Sequence, residues 1–123
     1  MPSARAELER VRRTAPAVGD HAALVRFASP MQVHPIVATT WARRLAPRLV
    51  VAANDGYLEG RVTVSCRGGG ERPIGELLRE ALVRGGGDLV EHAEFAHGHA
   101  RASGGSLPPE DIDRLLRGLG LDR

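Results

Sequence analysis

An α/β (α+β) fold, a small mixed β-sheet of about four to five strands flanked by helices, is predicted by three patterns in the sequence. Leu49-Val50-Val51-Ala52-Ala53 is a short, continuous apolar run, the pattern of a strand buried on both faces. From Arg61 to Arg67 the chain alternates strictly, with Val62, Val64 and Cys66 on one side and Arg61, Thr63, Ser65 and Arg67 on the other. Ile74, Leu77, Leu78, Ala81 and Leu82 repeat at helical spacing, as do Ile112, Leu115, Leu116 and Leu119.

The remaining elements follow in order. Residues 3–13 are charged and helix-prone, but only Leu8 and Val11 could form a stripe. Residues 1–20 therefore read as an N-terminal helix or a linker ahead of a domain spanning 21–123. Ala22–Ser29 reads as a strand. Pro35 suits the first turn of a helix with Val37, Trp41 and Leu45 on one face and Arg43 opposite, ended by Pro47. Asn54-Asp55-Gly56 marks a turn after the apolar run, and Gly68-Gly69-Gly70 closes the alternating strand. Pro73 opens the next helix and Gly85-Gly86-Gly87 ends it. Residues 89–96 alternate weakly and favour a strand. Gly98–Gly105 reads as a turn, and Pro108-Pro109-Glu110-Asp111 begins a last helix whose acids suit its dipole.

The 123 residues fit one domain, and 42% hydrophobic content suffices for a core, built on aliphatic side chains because aromatics reach only 3%. All 17 basic residues are Arg, so every basic contact is a planar fork suited to phosphate. The net charge of +2 is too small for wrapping long nucleic acid; a small anion or a chain end fits better. Cys66 is alone, which excludes a disulfide framework and points to the cytoplasm. No apolar run is long enough for a membrane span, and the charged N-terminus lacks a signal-peptide core.

Candidate site residues concentrate in two places. The stretch Gly98-His99-Ala100-Arg101-Ala102-Ser103-Gly104-Gly105 has almost no apolar bulk. It would let an anion approach backbone N–H groups, with His99 and Arg101 as side-chain donors; the plainer alternative is a surface loop. The face carrying Ser65 and Arg67 could present a hydroxyl and a bidentate fork to one phosphate; on an edge strand it would be the wet side of a sheet. His92, His97 and His99 lack the carboxylates and second cluster expected of a metal site, so no metal site is assigned. Arg43, Arg44 and Arg48 read as the exposed edge of a helix. No serine has a base and orienting acid in a recognisable frame, so no catalytic residue is assigned. Metal-centred phosphodiester hydrolysis needs more converging carboxylates and histidines than are present.

Together, Ser65-Cys66-Arg67 closing a strand and Gly98-His99-x-x-Ala102-Ser103-Gly104 before the last helix resemble the C-terminal, DHH-associated (type one) domain of DHH-family phosphoesterases. Val33-His34-Pro35-Ile36-Val37-Ala38 is similar to that family's first helix, and the resemblance spans roughly residues 22–120. The chain departs from the family in carrying His97 where a glycine is usual. The resemblance implies a substrate-binding domain of a nanoRNase, exonuclease or related phosphodiesterase. It implies phosphate contacts from Ser65, Arg67, Gly98, His99, Ser103 and Gly104, with Arg101 at a variable position as a secondary candidate. It further implies manganese held by a separate DHH catalytic domain, in cis or in trans, because the Asp-His-His triplet of that domain is absent here. The expected partners are a short oligonucleotide or nucleoside phosphate and that catalytic domain; no membrane is expected, and a homodimer is a candidate assembly. The same domain type occurs at the C-terminus of alanyl-tRNA synthetases, which makes a non-catalytic, tRNA-type binding module the alternative.

Overall fold

The structure is a computed structural model that describes residues 3–99 and 102–121, with His97–His99 as backbone. Its elements run α1 (Ala4–Val11), β1 (Ala17–Val18), β2 (Ala22–Phe27), α2 (His34–Arg44), β3 (Leu49–Asn54), β4 (Val62–Gly68), α3 (Ile74–Arg84), β5 (His97–His99), β6 (Ala102–Leu107) and α4 (Pro109–Gly118). The expected mixed sheet flanked by helices is present. Two short strands, β1 and β5, bring it to six strands among the described residues, in the order β1-β2-β3-β4-β6-β5. β2 and β3 are parallel and joined through α2, while the other neighbours are antiparallel.

The apolar run Leu49–Asn54 became β3 because it is the element that both layers need. It pairs on both edges and is covered on both faces, so all six of its residues are buried. On one face, Leu78 and Leu82 of α3 and Ile112 and Leu115 of α4 pack against Val51, Val64 and Cys66. On the other, Val11 of α1 and Val37 and Ala38 of α2 pack against Val25, Val50 and Ala52. This second cluster includes residues of β2 and β3 and none of β4 or β6. The face of β4 and β6 that carries Thr63, Ser65 and Arg67 is therefore left outside the apolar layer.

The charged N-terminal segment is helical over Ala4–Val11, capped by the Ser3 hydroxyl accepting from the Ala6 N–H at 3.0 Å. Val11 is 1% exposed, and Glu7 accepts from the Ser29 hydroxyl at 2.7 Å and from Arg10 at 2.9 Å. β1 then adds antiparallel to β2.

Two local expectations are corrected. Residues 89–96 form turns rather than a strand. Asp88 Oδ1 accepts the Val90 N–H at 2.8 Å, Val90 is fully turned out, and Phe95 plugs the core. A segment with one anchoring aromatic and no partner strand gains more from such turns than from an unpaired extension. Gly98–Gly105 is not a simple turn but an antiparallel hairpin, in which His97, Gly98 and His99 oppose Gly104, Ser103 and Ala102. β4 lies between β3 and β6, so the alternative of an edge strand's wet side does not apply to it. A buried link holds the irregular segment to α4, where His92 Nε2 donates to Asp111 Oδ2 at 2.7 Å and Arg114 to Oδ1 at 2.8 Å. Burial alone would push the Asp111 carboxyl up, but these two donors outweigh it and hold it below the usual range.

Candidate functional site

β4 is the element that makes a site, because its alternation sends apolar side chains to α3 and α4 and polar ones to the opposite face, which α2 partly covers. Its antiparallel register with β6 sets Ser65 opposite Gly104, Arg67 opposite Ala102 and Thr63 opposite Ser106. Paired residues share a face of the sheet. Ser65, Arg67 and the small residues Ala102 and Gly104 thus form one patch, and the absence of bulk on β6 leaves it open. The N-terminal turn of α2, with His34 and Pro35, borders it. The result is a cavity of about 330 Å³ lined by His34, Thr63, Ser65, Arg67, Ser103 and Gly104 among others, with no carboxylate in its wall.

The polar groups in this cavity are oriented. Arg67 donates through one guanidinium nitrogen to the Ser65 hydroxyl at 3.1 Å and to the Cys66 carbonyl at 2.9 Å. Its remaining N–H groups stay available for a planar acceptor. Ser65 is 5% exposed. Thr63 Oγ1 is buried with no hydrogen-bond partner among the described residues, an orphan hydroxyl beside an open polar cavity. The positive end of the α2 dipole adds to the field from the rim.

His34 was not among the sequence-derived candidates, although it sits in the quoted His34-Pro35 helix start. It is 3% exposed. Asn54 Oδ1 accepts two backbone bonds, from Ser29 at 2.9 Å and Gly56 at 3.0 Å, which fixes the amide orientation. Asn54 Nδ2 then faces His34 Nδ1 at 3.4 Å as a donor, so the ring proton belongs on Nε2. Burial pushes the His34 pKa below its ordinary value. The imidazole is accordingly a neutral group lining the cavity, with its proton on Nε2. The only signal for it in the sequence was a histidine directly before a helix-starting proline.

The other sequence candidates divide. Ser103 is buried and stands opposite Cys66, so its side chain shares the face of α3 and α4; its backbone is what reaches the cavity wall. Gly98 opposes Ser103 and His99 opposes Ala102, which puts His99 in the same cross-strand row as Arg67. Arg101 and Ala100 lie outside the described residues. His92 is committed to Asp111, and among the described residues no three of His, Cys, Asp and Glu come together as a metal-holding group. Cys66 is a free, fully buried thiol that burial pushes up to about 12. A larger cavity of about 680 Å³ lies beyond β6. It exposes Glu91 and Glu94, and its Arg61 is already spent on the Ser106 hydroxyl and carbonyl at 2.9 and 2.7 Å. Those charges oppose an anion, so the smaller cavity is the better anion site.

No helix among the described residues is long and apolar enough to cross a membrane. No family model matches the sequence, and no curated protein matches it. Solved structures share the fold, among them the following two. The C-Ala domain of Aquifex aeolicus alanyl-tRNA synthetase aligns with a TM-score of 0.55 at 18% identity, covering 84% of this chain and 91% of that one. The pGpG-specific phosphodiesterase PggH of Vibrio cholerae aligns with a TM-score of 0.52 at 19% identity, covering 94% of this chain and 38% of that one. The chain thus spans most of the length of the C-Ala domain and little more than a third of the length of the phosphodiesterase.

Proposed function

We propose that this chain is a DHH-associated substrate-binding domain that grips the phosphate of a short oligonucleotide or nucleoside phosphate on the open face of β4 and β6. One observation carries the reading: the register sets Ser65 beside Gly104 and Arg67 beside Ala102, in a cavity free of carboxylates. Arg67 supplies the fork, Ser65 orients it, His34 adds a neutral donor, and the close backbone at Ser103 and Gly104 leaves room for the anion. Gly98 and His99, at the next strand, and Arg101 complete the proposed contacts. The hydrolytic chemistry, of nanoRNase or exonuclease type, belongs to a DHH catalytic domain in cis or in trans. Manganese would be held there and not by these residues. The likeness to a stretch of a longer phosphodiesterase supports this division. A cytoplasmic location is in keeping with the single buried thiol.

The test is titration of the 123-residue chain with a 5′-phosphorylated dinucleotide. Arg67→Ala should weaken binding by about tenfold or more, the effect of losing a charge-assisted bidentate contact. The isolated chain should not hydrolyse the ligand with manganese added. Equal binding by wild type and Arg67→Ala would overturn the site. A second reading, a tRNA-type module without catalysis, is favoured by the whole-domain match to C-Ala. Tight, steeply salt-dependent binding of structured RNA, with the dinucleotide ignored, would select it.

A further inference from the structure

Of the three clustered arginines on and after α2, two have structural duties. Arg44 lies over the Trp41 ring at 5.2 Å, and Arg48 donates to the Gly19 carbonyl at 2.8 Å. Arg43 has no such commitment among the described residues. It follows Pro35, Ile36, Thr39 and Thr40 along one face of α2, the spacing that aligns side chains on a helix. That face forms the wall of a second cavity, of about 250 Å³. Pro35 and Arg67 line both this cavity and the candidate phosphate site, so the two are one groove running from Gly104 past Arg67 to Arg43. No carboxylate lines either part. Between the two guanidinium groups the groove has an apolar floor, Pro35 and the half-exposed Ile36, at 51%. Its Thr39 hydroxyl donates to the Pro35 carbonyl at 3.0 Å.

We propose that Arg43 forms a second anion subsite, so that the groove takes a nucleotide chain with at least two phosphates, one at Arg67 and the next at Arg43, with a sugar or base over Pro35 and Ile36. A single phosphate monoester fills the Arg67 end alone. This rests on the phosphate-gripping reading above and extends it from one anion to a chain. Two cations flanking an apolar step match the alternation of phosphate and nucleoside along a strand.

The experiment compares a 5′-mononucleotide with a 5′-phosphorylated dinucleotide on the full chain, in wild type, Arg43→Ala, Arg44→Ala and Arg67→Ala. Arg43→Ala should weaken the dinucleotide by about tenfold and leave the mononucleotide unchanged. It should also flatten the dinucleotide's salt dependence by about 0.7 in log–log slope, the release of one phosphate's counterions. Arg44→Ala, at a residue also exposed on the same helix, should change neither ligand. Arg67→Ala should weaken both. If Arg67→Ala acts and Arg43→Ala spares the dinucleotide, or weakens both ligands alike, the second subsite is wrong while the first stands. If Arg67→Ala has no effect on either ligand, the parent reading fails.

Discussion

Gly104 is where the fold and the site depend on the same missing atom. A Cβ at this position would overlap the Val64 carbonyl oxygen and come within 3.2 Å of its carbon and 3.3 Å of Ser65 Cα. All of these are backbone atoms of β4, which is held on its other edge by β3, so they have nowhere to yield. In Gly104→Ala, β6 must instead move off β4 by about 1 Å to restore ordinary contact. Such overpacking against backbone costs about 1–3 kcal/mol, and stretching a neighbouring ladder bond adds about 1 kcal/mol. A loss of roughly 3 kcal/mol in a domain of this size lowers the melting temperature by about 10–15 °C. Circular dichroism melts read it directly. Gly70→Ala is the control: Gly70 has φ +77° with nothing near its would-be Cβ, so only left-handed strain of about 1 kcal/mol applies. Dinucleotide binding should fall with Gly104→Ala even well below the melt, because Ser65 and Arg67 lose their register with β6. A melting temperature within about 3 °C of wild type would refute the close β4–β6 approach on which the site is built.

Three further outcomes are expected. Because burial lowers the His34 pKa in the folded state, the unfolded chain binds the extra proton first, and stability drops as pH falls below about 6.5; His34→Gln should flatten that part of the urea-midpoint profile, and an unchanged profile would contradict a buried neutral imidazole. His92→Ala removes one of the two donors to buried Asp111 and should cost about 1–3 kcal/mol, with faster hydrogen exchange across residues 88–96; exchange that quickens elsewhere instead would show that this link does not hold the segment. Cys66, with its thiol pushed up to about 12, should react with iodoacetamide at pH 8 on the order of a thousandfold more slowly than a free thiol, and at full rate only in denaturant; ready alkylation of the folded chain would mean that β4 is not interior.

Much of the architecture was legible because it rests on periodicity. The continuous run at Leu49–Ala53, the alternation at Arg61–Arg67 and the stripes of α3 and α4 each state which faces must be buried, and burial sets the layers. Where periodicity was weak, tertiary context decided. Residues 89–96 had no strand to pair with and coiled around Phe95, and the glycine-rich stretch that reads locally as a turn became a hairpin because β4 offered it an edge. Ser103 shows the limit most clearly: its motif position groups it with Gly98, His99 and Gly104 as a phosphate contact, but the register opposes it to Cys66 and sets its side chain on the other face from Gly104 and Ser65.

By itself, then, the sequence determined the fold class, the polar face of β4 and the residue types suited to a phosphate. Those follow from side-chain chemistry and from spacing along one chain. Only the tertiary structure decided that Ser65, Arg67 and Gly104 share a cavity, that His34 lines it with its proton on Nε2, and that the face of α2 carrying Arg43 adjoins it. Each of those depends on strand register, on a hydrogen bond from Asn54 twenty residues away, or on which face of a helix borders an open sheet. Such contacts join residues distant in sequence, and no local pattern encodes them.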